Sequence, residues 1–336
     1  MTRPESTTAS PGSSSGTSGT TGVPWRHASA ASSPSTPATP TSTGSRPAAR
    51  PTSSSPNSPP APQRAEPAAD PFLDRATVRG LYATPSRLTS RTAALRNARV
   101  RGTPAEEVIA ELARRQNPHG LIADIGCGRG TTTLALARAL PTCPVAAVDS
   151  SAPLLAQARS RTRGHRVQVV AGDFHALPLR TRSAALAVAA FCLYHSATPA
   201  AALSELRRCL RPGGVLIAAT KSTTSYRELD QLIAASGLDP EAASRPSLYR
   251  TVHSGNLDQL VHAALTVRYI RHDEHVFRFD DLDQVAAYLA TSPKYHLPSE
   301  LLGHPEALTR ALKNRLPNRP ITTTSTVTYV IGVRDE

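Results

Sequence analysis

A chain of 336 residues with 38 Lys and Arg against 25 Asp and Glu carries a net charge of +13, and only Lys221, Lys294 and Lys313 among those cations are lysines. The four cysteines (Cys127, Cys143, Cys192 and Cys209) form neither a C-x-x-C pair nor a zinc spacing, and no apolar run is long enough to span a bilayer. A disulfide scaffold, a metal centre and a membrane-spanning protein are therefore disfavoured, and length alone admits two domains.

Residues 1–70 are roughly four-fifths Ser, Thr, Pro, Ala and Gly, with Met1, Val23 and Trp25 as their only large apolar residues. Such a segment cannot bury enough surface to offset the entropy of ordering, so it reads as a disordered tail. It lacks the apolar core of a secretory signal, and its dense prolines argue against a transit peptide. A reducing cytoplasm is the expected location. About 265 residues remain, enough for one α/β domain with insertions.

Residues 72–99 show helical spacing through Phe72, Val78, Leu81 and Tyr82, then Leu88, Ala94 and Leu95, with a break near Pro85. A second helix is expected over 104–115, with Thr103 as cap, Pro104 in the first turn and Glu106 closing a capping box. Together they predict a helical cap over 71–118. The stretch 75–101 holds seven Arg and no acid, which suits either an anionic partner such as nucleic acid or, more plainly, a solvated helix surface.

Residues 121–125 read as a short buried strand; Gly126, Gly128 and Gly130 form a turn; a helix starts at Thr131. A strand, a glycine turn and a helix bring backbone N–H groups and a positive helix end close to a ligand. Alone the pattern is weak, since a tight turn needs no ligand. Further strands are expected over 145–148, 167–170, 184–191 and 215–219, alternating with helices over 151–161 and 200–210. Asp149, 23 residues after Gly126, and Asp173 both follow strand ends, where open α/β sheets bind ligands. Either carboxylate could instead cap the next helix. The repeating units predict a doubly wound, mostly parallel α/β sheet.

The last third is less regular. Helices are expected over 226–236 and 256–265, and alternating strands over 267–279 and 323–333. Between these strands the 281–318 insertion holds two helical patterns around Ser-Pro-Lys-Tyr-His-Leu-Pro, and it reads as a lid.

The segments Ala-Asp-Ile-Gly-Cys-Gly-Arg-Gly, Ala-Val-Asp-Ser-Ser, Ala-Gly-Asp-Phe-His-Ala-Leu-Pro-Leu, Ala-Phe-Cys-Leu-Tyr-His-Ser and Leu-Arg-Pro-Gly-Gly-Val-Leu, in that order, resemble the class I S-adenosylmethionine-dependent methyltransferases. Their spacing is similar to the small-molecule branch that includes ubiquinone and menaquinone enzymes. The resemblance covers about residues 119–221 and implies a seven-stranded Rossmann-like sheet within a domain over 119–336. It also implies S-adenosylmethionine as cofactor. Gly126, Cys127, Gly128 and Gly130 would pass under its methionine and ribose, and Asp124 would orient the amino group. Asp149 would hold the ribose hydroxyls, Ser150 would line the adenine, and Asp173 and Phe174 would meet the adenine edge and face. The carbonyl of Phe191 would take the methionine ammonium, and Tyr82 would close over the sulfonium.

His195, just beyond the fourth strand, is the candidate general base or orienting group, with Tyr194 beside it; a structural histidine closing that loop is the plain alternative. Tyr226, Tyr249, His253, Tyr295 and His296 are the candidate substrate contacts. The expected function is methyl transfer to an O or N atom of a small metabolite, of a secondary-metabolism kind. An RNA-directed methyltransferase and a non-catalytic cofactor-binding protein are the alternatives. The segment after the fourth strand lacks the Asn/Asp-Pro-Pro-Tyr of amino-methylating nucleic-acid enzymes, and Thr131 stands where a dinucleotide fingerprint wants glycine.

Overall fold

The computed structural model describes residues 85–336 together with Leu73 and Gly80. The predicted tail over 1–70, the first part of the predicted cap and Tyr82 lie outside the described residues.

Five parallel strands form the centre: β2 (Leu121–Ile125), β3 (Val145–Asp149), β4 (Val167–Ala171), β5 (Ala184–Ala190) and β6 (Leu210–Lys221). β8 (Ile321–Val333) pairs antiparallel with β6, and β7 (Thr266–Phe279) pairs antiparallel with β8. An eighth strand, β1 (Arg99–Arg101), adds to the free edge of β7, so the order is β4-β3-β2-β5-β6-β8-β7-β1. The sequence pattern predicts seven strands and places residue 99 in a helix. Three residues are too few to show a two-residue period, and β1 exists through its pairing with Val276 and Phe277.

The sheet is Rossmann-like, with parallel central strands β2, β3, β5 and the second half of β6 buried on both faces between two helical layers. Along β5, Leu186 and Val188 face one layer and Ala187 and Ala189 the other. One layer contains α2 (Ala105–Arg115) and α3 (Thr131–Ala139), which press Val108, Ile109, Leu112 and Leu136 onto Ile122, Ile217 and Tyr329. The other contains α5 (Pro199–Cys209) and α7 (Leu257–His262), with Leu203, Leu206 and Val261 against Ala123, Leu216 and Val330. The Arg-Pro-Gly-Gly segment is an insertion within β6: the register against β5 jumps from Ala184↔Leu210 to Leu186↔Val215.

A further apolar cluster sits at the end of β7. There α6 (Arg227–Ala235), α8 (Leu282–Leu289) and α9 (Pro305–Lys313) bury Leu229, Ile233, Val285, Leu289, Leu308 and Leu312 around Phe277 and Phe279. The helix α1 (Pro85–Ala98) packs Ala94, Leu95 and Ala98 against it. Two buried acids stitch the segment after α8 to this cluster. Asp230 pairs with Lys294 and accepts from the Tyr295 hydroxyl at 2.9 Å. Asp239 takes both arms of Arg245 at 2.7 and 2.8 Å and the His296 N–H at 2.9 Å.

Candidate active site

The carboxyl ends of β2, β3, β5 and β6 open into a cavity of about 950 Å3, whose wall includes Ile125, Asp149, Ala190 and Lys221. Its floor begins at the glycine turn. Gly126 and Gly128 have φ of 66° and 54°, a region that side chains adopt only with strain. A Cβ on Gly126 would lie 2.4 Å from the Cβ of Cys192, so that glycine lets β2 and the end of β5 touch. A Cβ on Gly128 would meet no protein atom within 4 Å. Gly128 and its neighbour Cys127 both line the cavity, so the bare face of Gly128 suits a ligand lying against the backbone.

Asp149 stands beside the turn. Its Oδ2 accepts the Gly128 N–H and its Oδ1 the Ser151 N–H, both at 2.8 Å. Burial raises its carboxyl pKa, while the N–H groups of Ser151, Gly128 and Ser150 oppose that shift. A carboxylate has about four acceptor positions, so it keeps room for ribose hydroxyls. Capping of α4 (Ala152–Arg161) falls to Ser151 instead. Ser150, Asp173 and Phe174 complete this end of the wall.

A residue that the sequence pattern did not single out, His175, links the site together. Its Nδ1 lies 3.0 Å from Asp173 Oδ1 and its Nε2 2.8 Å from Ser196 Oγ. The distances resemble those of a nucleophile triad, but Ser196 is fully buried and its Oγ already accepts the Thr198 N–H at 3.0 Å. The line orients rather than attacks.

Beyond β5 the chain turns at Phe191, whose φ is 56°. Tyr194 and His195 follow on a 3-10 turn with rings 4.3 Å apart, and the Tyr249 ring meets Tyr194 edge-on at 4.9 Å. All four line the cavity, as does Tyr226. Lys221 Nζ hydrogen-bonds the Tyr226 hydroxyl at 2.6 Å and lies 5.6 Å from the centre of the Phe191 ring. Arg91, Arg99, Arg129, His275 and Tyr288 also belong to the wall. The arginine-rich stretch flagged two of these; the others come from separate elements and share no motif.

Six expected contacts are not in the described wall. Asp124 is buried behind the turn because β2 alternates and turns it, with Ile122, toward α3; Oδ2 accepts the Thr133 hydroxyl at 2.6 Å and Oδ1 has no protein partner. Burial, with Asp149 nearby and against the Thr133 bond, lifts its pKa to about 7. Gly130 serves packing, since a Cβ there would lie 3.0 Å from Ala158. His253 closes its own loop, with Nδ1 accepting the Gly255 N–H at 3.0 Å. Tyr295 and His296 are held by Asp230 and Asp239 beside the helical cluster and do not line the cavity. Tyr82 lies outside the described residues.

Residues 122–214 match a family described as a methyltransferase domain. Among curated relatives, an uncharacterized 37.1 kDa protein in transposon TN4556 of Streptomyces fradiae is 47% identical over 96 residues, 28% of each chain. A malonyl-[acyl-carrier protein] O-methyltransferase of Xylella fastidiosa is 27% identical over 163 residues, 48% of this chain and 54% of that one. A carboxy-S-adenosyl-L-methionine synthase of Vibrio cholerae is 32% identical over 134 residues, 37% of this chain and 54% of the relative. The chain thus spans about half the length of the latter two relatives and less of the first. With Gly128 bare toward the cavity and Asp149 beside it, the match places the domain over residues 122–214 among the class I S-adenosylmethionine-dependent methyltransferases.

Proposed function

We propose that the protein transfers the methyl group of S-adenosylmethionine to an oxygen or nitrogen of a small metabolite. One observation carries the reading. The glycine turn and Asp149 share a single cavity with Tyr194 and His195, so the proposed cofactor-binding and acceptor-binding groups face one common space. Bound there, the cofactor supplies a methyl already activated by its sulfonium. The residues then need only to align the acceptor and exclude water. Gly128 lets the chain approach the ligand, with Gly126 holding the turn against Cys192, and Asp149 and Asp173 fix the nucleoside end. His195 accepts the proton of a hydroxyl or amine acceptor at an imidazole nitrogen, or orients it.

In this reading the 281–318 insertion is the lid, supported by Tyr288, Ser292 and Pro293 in the cavity wall. A small-molecule acceptor accords with the Vibrio cholerae relative, whose name refers to a modified S-adenosylmethionine. The deciding test has two parts. Calorimetry should show S-adenosylmethionine binding to the full chain, and methyl-labelled cofactor should pass label to an organic-soluble product from a metabolite extract. His195→Gln should then lower turnover by about a hundredfold or more with little change in cofactor affinity. No binding of the cofactor would remove the reading, and label transferred only to RNA would redirect it.

A further inference from the structure

The cavity is electrically lopsided. Asp149 and Asp173 stand at the end formed by β3 and β4 and Glu106 enters the wall from α2 near Arg129, whereas Lys221, Arg91, Arg99 and His275 stand at the end formed by β6, β7, α1 and β1. Asp149 and Lys221 end strands three positions apart in the order β3-β2-β5-β6, so roughly 14 Å of sheet separates them.

Lys221 is the telling residue. The chain has three lysines. Lys294 is paired with Asp230 and Lys313 with Asp283. Among the described residues Lys221 has no carboxylate partner, and its hydrogen bond goes to the phenol of Tyr226. An ammonium carries three donors, so two remain for a ligand. Its aromatic neighbours, Tyr226 with a ring centre 4.8 Å away and Phe191 at 5.6 Å, favour the cation without neutralising it. His275 is the second, independent sign. Its side chain lines the same end, only 4% of it is exposed, and its Nε2 has no hydrogen-bond partner. A buried ring nitrogen without a partner is costly unless a ligand satisfies it. Arg99 adds a third group, half-buried in the same wall.

The cofactor does not account for these charges. Its methionine carboxylate is one anion, and Arg129 lies in the glycine turn itself, beneath where that moiety would rest. Its sulfonium and ammonium only add positive charge.

We propose that the methyl acceptor carries an oxyanion, a carboxylate or a phosphate, which Lys221 and Arg99 hold together with His275 at the β6–β7 end of the cavity. This rests on the methyltransferase reading and names the substrate class of the same site. The acceptor's anion would lie among Lys221, Arg99 and His275, with its reacting atom toward Tyr194 and His195. Tyr249 and Tyr288 would flank its body.

The test uses the full chain saturated with S-adenosylhomocysteine and three probes: benzoate, phenyl phosphate and neutral benzamide. At least one anion should bind about tenfold or more tighter than benzamide, since charge-assisted hydrogen bonds are roughly twice as strong as neutral ones. Comparing benzoate with phenyl phosphate identifies which oxyanion the site prefers. Lys221→Met should abolish the preference, Lys221→Arg should retain most of it, and neither should change S-adenosylhomocysteine affinity by more than about twofold. Should Lys221→Met fail to fold, Arg99→Gln provides the same comparison. Equal binding of benzamide, or no anion binding, overturns the proposal. So does a loss of S-adenosylhomocysteine affinity as large as the loss of anion affinity, which would give Lys221 to the cofactor. Failure of S-adenosylhomocysteine to bind at all strikes the methyltransferase reading instead, and the anion titration repeated without it still decides the oxyanion site.

Discussion

Two glycines with a single residue between them illustrate how far a single methyl group can be made to report. Alanine at either position pays for a left-handed backbone, about 1–2 kcal/mol. At Gly126 the added carbon also strikes Cys192 at 2.4 Å, so Gly126→Ala should lower the melting temperature sharply. At Gly128 it meets only open cavity. Gly128→Ala should therefore fold with a modest loss of stability yet weaken S-adenosylhomocysteine by about tenfold or more, a factor worth about 1.4 kcal/mol. The opposite pattern, with binding spared at Gly128, would empty the proposed cradle. Asp124 offers a test by pH. Its carboxyl is raised by burial from 3.8 to about 7, so between those values the folded chain keeps a proton that the unfolded chain has lost. Stability contributed by this group is lost as pH rises from about 4 to about 7 and is flat above, by about 4 kcal/mol if the whole shift is expressed. Asp124→Asn should remove that slope and be the more stable protein at pH 8, as measured by urea unfolding at pH 5 and pH 8. Identical slopes in the two proteins would mean that Asp124 is ionised throughout.

At the scale of elements, the segment after α8 is held by charge as much as by apolar contact. Lys294 and Asp230 are each under a tenth exposed, and removing one partner of such a pair strands the other. Asp230→Asn should cost about 3–5 kcal/mol, and Asp230→Asn combined with Lys294→Met should cost less than the sum of the single changes. Tyr295→Phe should lose about 1 kcal/mol of stability with turnover unchanged; an altered KM would return Tyr295 to the substrate site. The sequence makes Tyr295 and His296 look like pocket residues because Pro293 and Pro298 stiffen their loop. Their partners Asp230 and Asp239 lie 65 and 57 residues earlier, a distance no local pattern spans. The parallel strands were legible for the opposite reason. Runs such as Ala184–Ala190, apolar on both faces, have few other ways to be buried. The strand ends at Asp149 and Asp173 followed from those runs, whereas β1 and the His175 link depend on neighbours brought close only by folding.

For the whole molecule, a net charge of +13 says little until the cations are placed. The cavity wall takes Arg91 from α1, Arg99 from β1, Arg129 from the glycine turn, Lys221 from β6 and His275 from β7. No window of sequence contains them, so their convergence was invisible, whereas the strand ends that bring Asp149 and Asp173 to the cavity wall were not. The same convergence makes a prediction about cooperativity. The wall draws Phe191 and Val327 from beside one sheet-face core and Tyr226, Phe277 and Tyr288 from the helical cluster at the end of β7. Residues 85–336 fall within one compact unit, so a ligand bound at this wall should stabilise both clusters together. At about a hundred times its dissociation constant, S-adenosylhomocysteine should add about 2.7 kcal/mol. For a unit of this size that moves Tm by about 5–10 °C, and the shift should appear as one displaced calorimetric transition. A trace that splits, with only one component moving, would mean that the helical cluster melts on its own and that the cofactor half of the cavity is not coupled to it.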